Sequence, residues 1–289
     1  MPEGQIRLGT SSWTGEGWVG SFYPANAKPQ DFLPIYAREF DTVEIDSTFY
    51  RVPTAKTVEQ WRERTPKGFT FTAKVPQVIT HQKMLLDAES DLAAFVKVMD
   101  LLGAKLGPLL LQFPYFNKQT FRGVGFFLER LEPFLKQLPK EHQWVVEVRN
   151  RNWLSEKLYS VLRRHGVALA LVDHAWMPRP RELFETGDPV TADFTYIRWL
   201  GDRKRIEEIT TVWNKLVIDR TAEMVEWMPA IEKLLKRRLT IYAYFNNHYA
   251  GFGPASARAF SEMLDRAVGK RNAEIARPAS APAHQTSLF

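Results

Sequence analysis

The sequence predicts a single (β/α)₈ barrel of the TIM type followed by a short C-terminal tail. Short β-rich runs alternate with helical patterns along most of the 289 residues, and this alternation implies parallel strands joined by right-handed crossovers. Roughly eight such units in a chain of this size give a closed barrel rather than an open sheet. The first run also leads into Gly9-Thr10-Ser11-Ser12-Trp13, which lacks the G-x-G-x-x-G turn that an open dinucleotide-binding sheet usually carries there.

The predicted strands are the runs rich in β-branched and aromatic residues. They cover residues 6–11, 42–50, 69–75, 109–113, 144–150, 167–173, 194–199 and 240–245. Apolar side chains recur at helical spacing between them, in residues 92–102, 127–138 and 224–235. Gly103 is the predicted C-terminal cap of the first of these helices, and Pro254 is predicted to open the last helix of the barrel. The barrel domain is therefore assigned to residues 1–269.

Bulk composition excludes several classes of function. The chain has no cysteine, which excludes disulfides, thiolate metal sites, iron–sulfur clusters and cysteine nucleophiles. It has neither a signal-peptide pattern at its start nor an apolar run of membrane-spanning length, so we expect a cytoplasmic protein. The formal net charge of +6 favours a polyanionic partner or an anionic substrate, although a basic enzyme without a nucleic-acid role has a similar composition.

Charged and polar side chains are predicted to meet at one end of the barrel. Reacting groups of such barrels lie at the C-terminal ends of the strands, and alternation along a strand identifies the side chains that face the lumen. On these grounds the candidate catalytic residues are Glu44, Asp46, Lys74, Glu147 and Asp173. The candidate substrate-binding residues are Trp13, Tyr50, Gln112, Arg149, Arg198, Tyr244, Asn246, Asn247 and His248.

Two interpretations of this charged cluster remain open. Burying so many charges costs several kcal/mol per ion unless each is paired, so the cluster can be a self-satisfied ion-pair network that closes the barrel. Alternatively, the charged groups bind a polar, anionic ligand in a concave, aromatic-rich site. In that case Arg149, Arg198 and Lys74 grip phosphate or carboxylate, and a carboxylate of the second or fifth strand acts as the general base.

The sequence does not favour a metal or a serine nucleophile at this mouth. His81, His174 and His248 fall near strand ends and, together with the carboxylates, offer ligands for a divalent metal. However, no H-x-H or H-E-x-x-H pair occurs, and no nucleophile elbow of the form G-x-S-x-G is present. The cofactor is therefore left unassigned.

Seven short motifs carry a family resemblance. They are Gly9-Thr10-Ser11-Ser12-Trp13, Phe22-Tyr23-Pro24, Glu44-Ile45-Asp46-Ser47-Thr48-Phe49-Tyr50, Phe71-Thr72-Ala73-Lys74, Gln112-Phe113-Pro114, Glu147-Val148-Arg149 and Tyr244-Phe245-Asn246-Asn247-His248. Their order resembles that of the YecE-like family, also known as domain of unknown function number 72. The resemblance covers nearly the whole barrel and implies a TIM-barrel fold. It implies no particular activity, but its motif residues coincide with those expected at the barrel mouth.

The C-terminal residues have a different composition from the barrel. From Lys270 the chain is rich in alanine, proline and serine without apolar periodicity, which is typical of a flexible linker. The final pentapeptide, residues 285–289, resembles the peptide by which bacterial DNA polymerases and repair proteins dock on the DNA sliding clamp, whose common form is Gln-Leu-(Ser or Asp)-Leu-Phe. Matching this form are Gln285, Ser287, Leu288 and Phe289, whereas Thr286 departs from the usual leucine. The alternative is that Leu288 and Phe289 fold back onto the barrel.

These features together favour a nucleic-acid-processing hydrolase that acts on phosphodiesters or nucleotides and is recruited to the sliding clamp. Aromatic side chains at the mouth would stack on a base or a sugar. Two alternatives are a small-molecule enzyme that acts on a sugar or a phosphorylated metabolite, and a clamp-associated binding protein without turnover. DNA binding with a steep salt dependence distinguishes the nuclease from the metabolite enzyme.

Overall fold

Eight parallel strands form a nearly closed barrel in the computed structural model, which describes residues 4–185 and 187–275. The strands are β1 (Gln5–Thr10), β2 (Thr42–Ile45), β3 (Thr70–Lys74), β4 (Leu106–Gln112), β5 (Trp144–Glu147), β6 (Ala168–Asp173), β7 (Phe194–Trp199) and β8 (Thr240–Phe245). From β2 to β8 each strand pairs with the next along the chain, and β8 pairs with β1. The predicted fold class is confirmed.

Helices surround the barrel on its outer side. They are α1 (Pro29–Glu39), α2 (Ala55–Glu63), α3 (Glu89–Met99), α4 (Val124–Gln137), α5 (Glu156–Arg164), α6 (Pro180–Glu185), α7 (Arg203–Glu207), α8 (Thr221–Lys236) and α9 (Gly253–Ile275). Helix α9 opens one residue before Pro254 and continues six residues past the predicted start of the tail at 270, because lysine, arginine, alanine and glutamate are good helix formers. Within the described residues, no helix has the length and apolar character that a membrane crossing requires.

Two strands end three or more residues before their predicted runs do. Strand β2 ends at Ile45 and is followed by a 3₁₀ turn at Ser47–Phe49, so the prediction of a strand through residue 50 was wrong. The Thr48 hydroxyl donates to the backbone oxygen of Lys74 over 2.7 Å, which ties this turn to the end of β3. Strand β5 likewise ends at Glu147 rather than at residue 150. The loops after β2 and β5 therefore begin earlier than the sequence pattern indicated.

The first and second strands meet at a seam that depends on Gly9 and Tyr36. The Tyr36 hydroxyl accepts a hydrogen bond from the backbone N–H of Thr10 at 2.9 Å and donates to the backbone oxygen of Thr42 at 3.1 Å. A Cβ atom on Gly9 would lie 2.2 Å from that same oxygen of Thr42. Only glycine therefore allows β1 to approach β2 this closely, and the approach nearly completes the barrel.

The barrel has an outer core between strands and helices and an inner core in its lumen. The inner core is packed with buried aliphatic and aromatic side chains. They include Leu110, Val145, Ala168, Ala170, Val172, Phe194, Tyr196, Tyr242 and Tyr244. Since these side chains fill the lumen, polar chemistry is confined to the layer above them, at the C-terminal ends of the strands.

Candidate active site at the barrel mouth

A buried arginine links two buried carboxylates across the top of the lumen. Arg198 on β7 donates through Nη2 to Glu44 Oε1 on β2 and through Nη1 to Glu147 Oε2 on β5, each over 2.7 Å. Both carboxylates are fully buried, and Arg198 is almost so. The second oxygen of Glu44 accepts a hydrogen bond from the Tyr196 hydroxyl at 2.6 Å. Glu44 and Arg198 are therefore committed to partners within the protein.

Glu147 extends this network outward to Arg149. Arg149 Nε donates to Glu147 Oε1 over 2.5 Å, so both oxygens of Glu147 are occupied. Burial alone would raise the pKa of Glu147, but the positive charges of Arg149 and Arg198 outweigh it and lower the pKa to about 2. Glu147 is thus an anchor that is ionised at neutral pH, and its low pKa makes it a poor acceptor of a proton there.

Arg149 is the outermost member of the network and is partly open to solvent. Its side chain is 22% exposed. Its Nε is held by Glu147, and neither Nη group donates a hydrogen bond within the described part of the chain. The guanidinium is therefore oriented by a buried anion, and its two other nitrogens retain their capacity to donate hydrogen bonds to a ligand. Such a group is suited to bidentate binding of a phosphate or a carboxylate.

A second ion pair lies beside the first network. Lys74 Nζ, at the end of β3, is 2.9 Å from Asp46 Oδ1, and the Asp46 side chain is 33% exposed. The Lys74 ammonium also lies 4.1 Å from the centre of the Phe49 ring, a cation–π contact. Among the three lumen carboxylates predicted from β2 and β5, Asp46 is therefore the one that solvent reaches.

Three histidines lie around these charges and are shifted toward the neutral form. Burial and the positive charges of Lys74 and Arg149 lower the pKa of His81 to about 4. Burial and Arg149 also lower the pKa of His174, although Asp202 and Glu147 oppose the shift.

The third histidine, His248, is held on both ring nitrogens. Burial lowers its pKa, against a hydrogen bond to the Glu207 carboxylate that raises it. Its Nδ1 lies 2.6 Å from Asn246 Oδ1, and its Nε2 lies 3.2 Å from Glu207 Oε1. Within the described residues, no group of three or more histidine, aspartate or glutamate side chains is arranged to hold a metal ion.

The other polar residues predicted at the mouth have local structural partners. Asn246 Oδ1 accepts from the backbone N–H of His248 at 3.0 Å, and Asn247 Oδ1 accepts from the backbone N–H of Gly253 at the start of α9 at 2.9 Å. Gln112 Nε2 donates to the backbone oxygen of Phe113 over 2.7 Å. Asn246 thus positions His248, whereas Asn247 caps a helix.

The structure does not bring Asp173 together with the other carboxylates. Its Oδ2 accepts a hydrogen bond from Trp227 Nε1 of α8 at 2.7 Å, and Arg179 Nη1 lies 3.2 Å from Oδ1. Val172, the preceding residue, belongs to the inner core, so Asp173 at the end of β6 points to the helical layer. Strand alternation places neighbouring residues on opposite faces. Position at the end of a strand was therefore not sufficient to identify Asp173 as a residue of the barrel mouth.

Two of the predicted aromatic ligand contacts also lie away from the mouth. Trp13 packs edge-on against Trp61 of α2, with the ring centres 5.3 Å apart, on the helical side of the barrel. Tyr244 is fully buried in the lumen, where its hydroxyl lies 2.7 Å from Thr42 Oγ1. Tyr50, by contrast, is 69% exposed and contacts Phe49 edge-on, so it is available to a ligand.

Sequence reasoning missed two exposed aromatic residues at this end. Trp176, in the loop after β6, is 71% exposed, and its ring centre lies 5.2 Å from that of His174. Tyr115, in the loop after β4, is also largely exposed. A large aromatic residue within a few positions of a barrel strand's C-terminal end is the signal that would have identified both.

A cavity at the opposite end of the barrel has a different character. Its volume is about 1090 Å³, and it is lined by the starts of β5 and β7 and by the C-terminal ends of α4 and α5. Its three arginines are already engaged: Arg163 pairs with Glu156, Arg164 with Glu132 and Arg237 with Asp188. In TIM barrels this end serves stability, so size alone does not make the cavity the active site.

The fold and the mouth together define a TIM-barrel protein whose charged groups converge at the C-terminal ends of its strands. The chain belongs to the family described as protein of unknown function DUF72, whose model matches residues 7–284. It is 29% identical over 228 residues to the UPF0759 protein YecE of Escherichia coli K12, covering 72% of this chain and 79% of YecE. It is 25% identical over 279 residues to YunF of Bacillus subtilis 168, covering 90% and 95% of the two chains.

Solved structures agree with this family assignment. A DUF72 family protein from Thermotoga maritima MSB8 has 29% identity and a TM-score of 0.72, over 90% of this chain and 99% of that chain. A second, from Enterococcus faecalis V583, has 22% identity and a TM-score of 0.67, over 90% and 96% of the two chains. The structure of AsfvAP:AG has a TM-score of 0.54 at 7% identity, over 93% and 99%, and this likeness concerns the fold alone.

Proposed function

We propose that the barrel mouth binds a phosphate group of a nucleic acid and hydrolyses a phosphodiester bond there. One observation carries the proposal: Arg149 is fixed through Nε on a buried, ionised Glu147, while its partly exposed side chain leaves both Nη groups without a hydrogen bond in the described part of the chain. Holding an arginine in this way reduces the entropy lost when it binds a phosphate. Lys74, at the end of β3 two strands away, acts together with Arg149 on His81 and supplies a second positive charge for the same anion.

The charge of the surrounding loops supports a polyanionic ligand. The segments that follow each strand, up to the helix that leads back to the next strand (α6 after β6, α8 after β7, α9 after β8), are residues 11–28, 46–54, 75–88, 113–123, 148–155, 174–179, 200–220 and 246–252. They contain thirteen lysines and arginines but seven aspartates and glutamates, a net charge of +6. This equals the formal net charge of the whole chain, so the rest of the sequence sums to zero. The positive field is thus concentrated at the mouth, where it attracts polyanions.

The chemical step uses the Asp46–Lys74 pair. Asp46 takes a proton from a water molecule as the water oxygen attacks phosphorus, and Arg149 neutralises the charge on the non-bridging oxygens. The phosphorus–oxygen ester bond breaks, and the leaving oxygen takes a proton from Lys74. Transfer of the proton from Asp46 to Lys74, across the 2.9 Å contact, then restores the pair.

Cleavage of labelled DNA by the full-length chain tests this proposal. Purified protein is incubated with single-stranded, duplex and abasic-site DNA, with and without Mg²⁺ or Mn²⁺. Asp46→Asn is expected to reduce cleavage by roughly 10²- to 10⁴-fold, because general base catalysis is lost, with little change in DNA affinity. Asp265→Asn, an exposed aspartate on α9, is the matched control and should leave cleavage unchanged. Absence of cleavage under every condition would reject the hydrolase.

A second candidate function is a binding protein without turnover. This alternative is favoured by the burial of Glu44 and Glu147, whose carboxylate oxygens accept hydrogen bonds from donors within the protein. A barrel with this network binds an anion through Arg149 but leaves Asp46 without a catalytic role. Under this alternative, DNA binds with a steep salt dependence, is not cleaved, and is bound equally well by Asp46→Asn.

We further propose that residues 285–289 dock the protein on a bacterial-type DNA sliding clamp. These residues lie outside the described part of the structure, and just beyond the family match that ends at residue 284. The support is the matching of Gln285, Ser287, Leu288 and Phe289 to the clamp-binding form. Titration of a purified clamp with the intact chain and with a chain truncated after His284 decides the question. Binding of the intact chain alone supports the proposal, and binding of neither form refutes it.

A further inference from the structure

Two exposed aromatic rings flank the cationic centre of the mouth. Tyr50 lies on the Lys74 side: its ring centre is 5.2 Å from that of Phe49, whose ring in turn carries the Lys74 ammonium at 4.1 Å. A tyrosine that is 69% exposed contributes little to the folded core. Its position beside a buried cation instead suits a ligand that combines a flat apolar group with a negative charge.

Trp176 occupies the corresponding position on the Arg149 side. Its ring centre lies 5.2 Å from that of His174, the residue that directly follows β6. Strand β6 pairs with β5, and β5 leads directly into Arg149, so His174 and Arg149 emerge from adjacent strand ends. The positive charge of Arg149 acts on His174 accordingly. A tryptophan that is 71% exposed thus borders the second phosphate-binding cation.

We infer that Tyr50 and Trp176 are stacking platforms for two bases of a single-stranded DNA segment, whose intervening phosphate lies on Lys74 and Arg149. The inference rests on the proposed function, since it names the form of nucleic acid that the mouth takes. A duplex hides the faces of its bases within the stack, whereas a single strand presents each face to a side chain. Two separate rings with cations between them therefore match the base–phosphate–base order of an extended strand.

The surroundings of the two rings favour this occupant over an apolar protein surface. Arg51 directly follows Tyr50 in the same loop, and Arg149 acts on His174, whose ring contacts that of Trp176. Arg179, close after Trp176, is already paired with Asp173 and Glu226. A protein-binding patch would instead have a contiguous, apolar centre from which charged residues are depleted. Alternation of aromatic and basic residues is the pattern by which single-stranded nucleic acid is bound without sequence preference.

Fluorescence anisotropy with a short labelled oligothymidylate tests the inference. The wild-type chain is expected to bind it more tightly than a duplex of the same length. Trp176→Ala and Tyr50→Ala should each weaken binding about 5- to 150-fold, as loss of one stacked base predicts. Trp176→Phe should recover most of the affinity, because it retains a ring. Phe126→Ala, which removes a half-exposed ring on α4, is the matched control and should have no effect.

The outcomes separate this inference from the proposed function. Inorganic polyphosphate, which has charge but no bases, is added as a competitor of the labelled oligothymidylate. Its affinity for the protein should be unchanged in Trp176→Ala and Tyr50→Ala and reduced in Arg149→Ala. If Arg149→Ala weakens oligothymidylate binding while Trp176→Ala and Tyr50→Ala do not, the platforms are refuted and the phosphate site stands. If none of the three substitutions changes binding, both are refuted. Equal affinity for duplex and single strand also overturns the inference.

Discussion

The guanidinium of Arg198 donates to the fully buried carboxylate of Glu147 over 2.7 Å. The same guanidinium donates to Glu44 over 2.7 Å, so one cation neutralises two carboxylates that come from opposite parts of the barrel. Glu147 then holds Arg149, which faces the solvent. The interpretation as a self-satisfied ion-pair network therefore describes the buried part of the cluster, and the ligand-binding interpretation concerns the groups above it.

Removal of Arg198 should cost far more stability than removal of a surface arginine. Arg198→Met leaves Glu44 and Glu147 buried near each other with their main partner gone, and we expect a loss of about 3–5 kcal/mol in the free energy of unfolding. Arg258→Met, which breaks an exposed pair with Glu39, should cost less than about 1 kcal/mol. Urea denaturation measures both. A cost for Arg198→Met as small as that of Arg258→Met would show that the network is not buried in solution.

Asp173 should prove to be a structural residue. Asp173→Asn weakens the hydrogen bond from Trp227 and the contact with Arg179, and we expect a loss of roughly 1–3 kcal/mol in the free energy of unfolding. DNA affinity should remain at the wild-type level, because the carboxylate faces the helical layer. Urea denaturation and anisotropy on the same preparation give both values. A variant with wild-type stability but impaired DNA binding would instead show that Asp173 belongs to the binding site.

The seam between β1 and β2 should tolerate no side chain at Gly9. The Cβ of Gly9→Ala would lie 2.2 Å from the backbone oxygen of Thr42, and relief requires separation of the two strands. We expect a loss of about 1–3 kcal/mol, seen as a decrease in Tm. Gly123→Ala, where a Cβ meets no atom within 4 Å, is the control. Equal Tm values for the two variants would mean that the strands are further apart than described.

Stability should fall in two steps as the solution is acidified. The pKa of His81 is lowered from 6.5 to about 4 in the folded chain. Between pH 6.5 and pH 4 the unfolded chain therefore binds a proton that the folded chain does not, and stability decreases as pH falls through this range. The pKa of Glu147 is lowered from 4.5 to about 2, so its contribution is present above pH 4.5 and is lost as pH falls toward 2.

Urea denaturation between pH 7 and pH 4 isolates the histidine step. His81→Gln should reduce the loss of stability over this interval, because the substituted side chain does not titrate. His174 and His248 also have lowered pKa values, so a residual decrease is expected. An unchanged slope in His81→Gln would indicate that the imidazole is as solvated in the folded chain as in the unfolded one.

Regular strand geometry explains which site residues the sequence could predict. Arg198 lies within β7 and Glu44 lies within β2, so alternation correctly assigned them to the lumen. The alternation rule no longer applies after Ile45, where the chain enters a 3₁₀ turn. The position of Asp46 beside Lys74 therefore results from the turn and not from the strand pattern.

Side-chain contacts between residues distant in the chain explain which site residues the sequence could not predict. Trp13 and Asp173 stand at strand ends, as ligand-binding residues do, but their side chains meet Trp61 and Trp227 of the outer helices. Those contacts join residues that are far apart in the chain, and no local pattern encodes them. Arg198 is a further case: the sequence predicts that it faces the lumen, but not that it is hydrogen-bonded to two carboxylates.

Binding of single-stranded DNA by Arg149→Ala across a series of salt concentrations tests the central claim most directly. If Arg149 holds a phosphate, the variant should bind more weakly at low salt, and the slope of log K against log[salt] should become shallower by roughly 0.7, the value for one phosphate contact on a single strand. Arg130→Ala, which removes a cation on α4 that lies over the Phe121 ring, should match the wild-type chain in both respects. An Arg149→Ala chain with wild-type affinity and slope would contradict the assignment of the barrel mouth as a phosphate-binding site.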